Sequence, residues 1–170
     1  NLSFVWLVSY TIMAPFLKKL LDDSRIMDKC MMPIPHPMET SCGFVLVNYD
    51  SVLLLQYPQG HWSYPKGHVE GEENHFQTAR RELKEETGIN EVEIDSGWSH
   101  RTEYTFQKKG KPVEKQVFWY IASTNQLEVK LSHEHTNYLW LSFDDAEDQL
   151  TFEQEKSLLR EARAYLNPAN

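Results

Sequence analysis

The stretch Gly67–Ile89, GHVEGEENHFQTARRELKEETGI, decides how the rest of the chain is read. Residues 74–87 hold no Gly or Pro and are rich in Glu, Arg, Leu, Ala and Gln, which predicts a helix that Gly88 ends. On it Glu82, Glu85 and Glu86 stand at i, i+3 and i+4, spacings that share one face. Three carboxylates this close repel one another and raise each other's pKa unless a cation sits among them. Hard oxygen donors at such quarters suit Mg²⁺ or Mn²⁺.

A Glu- and Arg-rich helix face taken alone reads as solvated surface. The full spacing changes the weighing. It runs Gly67, five residues, Glu73, seven residues, Arg81-Glu82, an aliphatic, any residue, Glu85-Glu86, any residue, Gly88, an aliphatic. With each fixed position matched by chance roughly once in fifteen, a random window fits about once in 10⁸. The pattern resembles the Nudix box, complete and without a substitution. The resemblance covers about residues 41–167 and implies an α/β/α sandwich around a mixed β-sheet. It also implies that Glu82, Glu85 and Glu86 bind metal, with the Gly67 carbonyl an additional ligand. Arg81 would orient the box glutamates, with Glu73 as its partner.

Outside the box, length and charge set bounds. At 170 residues one domain with a real core is expected. A net charge of −8, from 17 basic and 25 acidic residues, supplies no basic field for nucleic acid, and no DNA partner is expected. Two cysteines, Cys30 and Cys42, make no disulfide framework. A cytoplasmic monomer is the expectation.

Residues 1–38 differ in character from the remainder of the chain. Asn1–Leu17 is uncharged and mostly apolar, interrupted by Pro15 and succeeded by Lys18 and Lys19. Seventeen such residues lie at the short limit for a membrane span, and the basic start of a secretory signal is missing. All five methionines fall within these 38 residues. Three readings stand: a membrane tether over residues 1–21, a helix packed on the domain or on a partner, or sequence foreign to the native protein with Met38 near its start. Pro33, Pro35 and Pro37 make residues 32–38 an extended linker. The domain is set at 39–170.

Within it, Gly43–Val47 and Ser51–Leu55 are apolar runs that predict a hairpin, buried on both faces. Val92–Phe106 and Val113–Ala122 read as strands joined by a turn over Lys108–Pro112, and Tyr138–Leu141 as another strand. Ser142 and Thr151 are candidate N-caps. Thr151-Phe152-Glu153-Gln154 has capping-box form and would open a helix to about Leu166, with Leu158, Leu159, Ala162 and Tyr165 along one side.

Three flanking motifs narrow the resemblance. Trp62-Ser63-Tyr64-Pro65-Lys66-Gly67-His68 is similar to the W-x-x-P-K-G-H of the asymmetrical diadenosine tetraphosphate hydrolases. Leu131-Ser132-His133-Glu134-His135, with Tyr138 and Trp140 beyond, resembles their L-S-H-E-H-x-x-Y-x-W. Tyr104 ahead of a lysine-bearing hairpin, then Val117-Phe118-Trp119, is the third. The resemblance implies a Mg²⁺- or Mn²⁺-dependent hydrolase acting on a small dinucleoside polyphosphate and giving ATP and AMP.

Phosphoanhydride hydrolysis is positioning and charge stabilisation, so no Ser, Cys or His nucleophile is required. Lys66, His68 and Lys115 are expected at phosphate oxygens and Tyr104 at a base, and the resemblance implies Phe152 as a second ring there. The resemblance implies that Glu134 reaches the metal or the water. His133 and His135 look like a metal pair on one strand face, but the resemblance has them shape the loop or touch phosphate. Lys108, Lys109 and Lys111 read as solvated charge. A 5′-end RNA pyrophosphohydrolase, a Nudix-fold nucleotide-binding module without turnover, and a hydrolase of an inositol polyphosphate or nucleotide sugar are the competing readings.

Overall fold

The computed structural model describes residues 38–168. The expected tether over residues 1–21, the linker up to Pro37 and Cys30 lie outside the described residues. Among the described residues no helix is long and apolar enough to cross a membrane.

In chain order the elements are β1 (Met38–Asn48), β2 (Ser51–Gln56), β3 (Trp62–Ser63), β4 (Lys66–His68), α1 (His75–Thr87), β5 (Glu93–Lys108), β6 (Lys111–Ser123), β7 (Asn137–Ser142), α2 (Phe143–Gln149) and α3 (Glu153–Leu166). The seven strands form one mixed sheet with the path β3-β2-β1-β6-β5, while β4 pairs with β1 and β7 with β2. Strands β1 and β6 run parallel from Met38↔Glu114 to Val47↔Ser123, and the other pairings are antiparallel.

The non-alternating apolar runs are explained by two cores. Cys42, Phe44, Leu46, Leu53 and Leu55 face Ala79 and Leu83 of α1. Val45, Val47, Val52 and Leu54 face the other way, onto Phe143, Ala146, Leu158, Leu159 and Ala162 of α2 and α3. A strand with a helix layer on each side has no face left for polar residues. The α/β/α sandwich expected from the sequence is the observed architecture.

Helix α1 starts one residue later than its composition suggested. Asn74 serves as N-cap, accepting from the Gln77 amide at 3.0 Å while the Gln77 side chain accepts from the Asn74 amide at 2.9 Å. Gly88 ends the helix at φ +72°, and its amide donates to the Lys84 carbonyl.

Three local expectations need correction. Ser142 caps α2 as read, but Thr151 does not cap α3, whose first turn has no side-chain cap. The Thr151 hydroxyl instead accepts from the Trp62 amide at 2.9 Å, tying the helix entry to β3. The β5–β6 turn is only Lys109-Gly110, both at positive φ. Pro112 lies inside β6 opposite Gln107, one position past the turn pair, where the ladder asks for no N–H from it. Lys108 is no free charge, since its ammonium pairs with Glu39.

Candidate active site

Strand β4 carries Lys66, Gly67 and His68 along β1, opposite Gly43, Cys42 and Ser41. Helix α1 crosses beside it and brings up its acidic face. Gly67 is where the two touch: a Cβ there would lie 1.9 Å from Glu82 Cδ and 2.1 Å from both carboxylate oxygens. Strand and carboxylate therefore fit only because position 67 has no side chain.

Arg81 organises the next layer. It donates to both oxygens of Glu73, at 2.8 and 3.0 Å, to Glu82 Oε1 at 2.9 Å, to Glu85 Oε2 at 3.0 Å and to the His68 carbonyl at 2.8 Å. The partner expected for it, Glu73, is the one it holds two-handed. These bonds hold the Glu73 carboxyl down at about 2. The guanidinium also supplies the positive charge that crowded carboxylates need, standing between Glu82 and Glu85.

Glu86 is different. It is buried, and desolvation pushes its carboxyl up to about 8, against the opposing pull of Lys66. Its Oε2 accepts from the Lys66 amide at 3.0 Å, and its Oε1 lies 3.4 Å from His135 Nε2. Burial lowers the His135 imidazole to about 4, so both partners lean to their neutral forms and the contact is polar, not an ion pair.

The expectation that His133 and His135 share a strand face fails. Residues 131–136 precede β7 and include a turn, with the His135 amide donating to the Ser132 carbonyl at 3.3 Å. His133 is exposed at the cleft while His135 is buried, its ring edge-on to Tyr57 at 4.5 Å.

Two clefts meet here. One, of about 630 Å³, is lined by Gly67, His68, Arg81, Glu82, Glu85, Glu86, His133 and Glu134, together with Lys66 and Lys115. The other, of about 580 Å³, is mostly apolar and carries Tyr104, Phe106, Trp119 and Phe152, again with Lys66 and Lys115. Every site residue expected from the sequence lines one or the other. A larger, open depression of about 660 Å³ beside Met38, Glu39 and His68 contains none of the box glutamates of α1, and its Glu39 carboxylate already pairs with His68 and Lys108.

The shared lysines are desolvated. Lys66 donates to Tyr57 Oη at 2.7 Å and its pKa is lowered by burial. Lys115 is brought down to about 8 by burial and by Lys66, and its Nζ lies 3.5 Å from His68 Nε2. Tyr104 and Phe152 are half-exposed on the rim of the apolar cleft.

Sequence reasoning passed over Tyr57, His61 and Glu155. Tyr57 and His61 stack at 4.5 Å, and His61 leans on Phe152 at 5.5 Å. Nothing in their local spacing marks them. Glu155 did leave a signal, because it precedes Leu158 and Leu159 by three and four residues and so falls on the inward stripe of α3.

As to a cation, no three His, Cys, Asp or Glu side chains among the described residues are gathered as a ready-made cage; the box carboxylates are held by Arg81 and by the Lys66 amide. The donor set nevertheless fits a hard divalent ion. All its donors are oxygens, one carboxyl is buried and short of charge compensation, and the backbone is cut back at Gly67 to admit a carboxylate.

The NUDIX domain family matches residues 38–161. The chain belongs to this family. Among NUDIX relatives, the bis(5′-nucleosyl)-tetraphosphatase [asymmetrical] of Rattus norvegicus is 39% identical over 118 residues, 67% of this chain and 79% of the relative. The crystal structure of a C. elegans Ap4A hydrolase binary complex superposes with a TM-score of 0.67 at 36% identity, covering 75% of this chain and 97% of that one. An RNA pyrophosphohydrolase of Pelagibacter ubique is 26% identical over 128 residues, 66% of this chain and 81% of that one.

Proposed function

We propose that the protein is a divalent-metal-dependent pyrophosphohydrolase that cleaves diadenosine tetraphosphate asymmetrically, giving ATP and AMP. The observation that carries this reading is the junction of the two clefts: a carboxylate-lined chamber and an aromatic-rimmed one share Lys66 and Lys115 as their common wall. A substrate suited to both is a base joined to a polyphosphate. The relatives named as asymmetrical tetraphosphatases support the same choice.

Glu82, Glu85, Glu86, Glu134 and the Gly67 carbonyl would hold Mg²⁺ or Mn²⁺. When bound, such an ion polarises a phosphoryl oxygen and lowers the pKa of a water. The chain's own groups do the rest. Lys66, Lys115 and His68 meet polyphosphate oxygens, Arg81 keeps Glu82 and Glu85 from swinging away, and Tyr104 and Phe152 offer ring faces to a base. Water adds to phosphorus at one phosphoanhydride bridge and the bridging P–O bond breaks. Cleavage next to one nucleoside leaves one phosphate on that product and three on the other. A small diffusible substrate and a cytoplasmic monomer belong to the same proposal.

Product analysis tests it. With Mg²⁺ present, ATP and AMP in equal amounts are expected, and a chelator stops the reaction. Two ADP, or no turnover, refutes it. The RNA pyrophosphohydrolase relative keeps a second substrate in view, and a higher kcat/KM on 5′-triphosphorylated RNA than on the dinucleotide would favour that reading. Tight nucleotide binding without any product would indicate a binding module.

A further inference from the structure

The apolar cleft has a charged residue in its lining that the proposed reaction leaves idle. Glu155, in the first turn of α3, is 8% exposed and helps to line the cleft beneath the Tyr104 and Phe152 rim. Its Oε1 accepts from the Ser63 hydroxyl at 2.5 Å, and Tyr64 Oη fixes the backbone there by donating to the Glu155 carbonyl at 3.0 Å. Its Oε2 is buried with no partner among the described residues. Carboxylate torsions are two-fold and soft, so turning about Cγ–Cδ only exchanges the oxygens. Ser63 has one proton to give, and one oxygen stays short of a donor either way. A buried acceptor without a donor costs free energy that a bound N–H would return.

We propose that Glu155 is a specificity-determining residue: the oxygen left free by Ser63 accepts a hydrogen bond from the exocyclic amino group of an adenine lodged between the rims of the aromatic cleft. The ring faces hold any base, because stacking is tolerant of base identity. The carboxylate reads the edge. This rests on the reading above that an adenine nucleotide enters this cleft. It adds that a purine lacking the amino group binds less tightly, since it leaves the buried oxygen without a donor.

Isothermal titration of the full chain with AMP and with purine riboside 5′-monophosphate, which lacks only the amino group, tests the assignment. In the native protein AMP binds about tenfold more tightly, the worth of one hydrogen bond to a charged group. In Glu155→Met, a swap of similar volume, the two bind equally while the melting temperature holds. Equal affinities in the native protein, or no binding of AMP, overturns the proposal. So does a Glu155→Met protein that keeps the ratio, or one that weakens both ligands alike with the ratio kept, which would mean that the carboxylate acts only as a counter-charge to Lys66. The reaction is judged separately by products: ATP and AMP formed by a protein blind to the amino group leaves the reaction standing and removes Glu155 from it. The reverse result does the opposite.

Discussion

Gly67→Ala isolates the contact on which the chamber depends. The added Cβ would stand 1.9 Å from Glu82 Cδ, whereas carbon atoms rest about 3.5 Å apart. About 1.6 Å must therefore be found. Position 67 is not among the glycines at positive φ, so the backbone accepts alanine and the side chain of Glu82 is what gives way. That carboxylate is the end of a flexible chain held by one bond to Arg81 at 2.9 Å. Releasing it costs about 1 kcal/mol, a fall in melting temperature of about 2–4 °C for a domain of this size. Turnover suffers far more, because a misplacement of about 1 Å in a reacting constellation costs about 10²-fold. Steady-state kinetics on diadenosine tetraphosphate and a thermal melt read the two effects side by side. The cause is checked by a cycle: in a Glu82→Ala background the stability cost of Gly67→Ala should vanish. Activity within about threefold of native refutes the reasoning. A large loss of stability that persists without the Glu82 carboxylate refutes it too, by placing the strain in the backbone.

Glu85→Gln and Glu86→Gln should each leave the fold intact and lower kcat by about 10²–10³-fold; near-native rates in both, alongside native circular dichroism, would remove the helix face from the chemistry. Lys115 should impose a pH limit. Its folded pKa of about 8 lies below its ordinary 10.5, so between those values the unfolded chain holds more protons and this group's contribution to stability rises with pH. Phosphate affinity moves the other way as the ammonium discharges, and KM should climb about tenfold from pH 8 to 9.5. Lys115→Arg keeps its charge and should flatten that climb; a KM that rises identically in the variant assigns the effect elsewhere. Tyr104→Ala and Phe152→Ala should raise KM about tenfold with kcat nearly unchanged, since stacking is worth ~1–3 kcal/mol per base, and an unchanged KM in both would move the base out of this cleft.

How far the sequence could be read depends on the distance along the chain between interacting residues. The carboxylate face of α1 and its end at Gly88 were legible because a helix converts spacing into adjacency, whereas the Arg81–Glu73 pair was legible only through the resemblance, Glu73 lying ahead of the helix. The doubly buried strands were legible because β1 and β2 lack any polar alternation. Thr151 misled because its hydroxyl had two uses, and the long-range bond to Trp62 displaced the local cap. The metal pair that His133 and His135 resemble is absent because a turn, not a strand, carries them, so alternate positions part company. The inward placement of Glu155 was legible in its spacing to Leu158 and Leu159, but its contact was not, the hydroxyl partner Ser63 being 92 positions away.

Lys66 shows what such distances conceal. Its position in the motif places it beside the box, and a phosphate contact is a sufficient reason for a lysine there. Folded, its ammonium feels Glu155 most strongly among its neighbours, then Glu86 and Glu82, while burial works against its charge. One cation thus answers carboxylates in both clefts, and each of those carboxylates is itself pushed towards neutrality by burial. Such a group cannot be exchanged for arginine at no cost, because a guanidinium would have to fit beside Tyr57, whose ring lies 4.2 Å from the Lys66 nitrogen. On the proposed reading, filling either cleft would change the balance felt in the other, since a polyphosphate drawn to Lys66 would weaken its hold on Glu155 and leave that carboxylate more in need of a donor from the base. If the proposed substrate enters this way, recognition of its base and of its phosphates would be one electrostatic event shared through a single side chain.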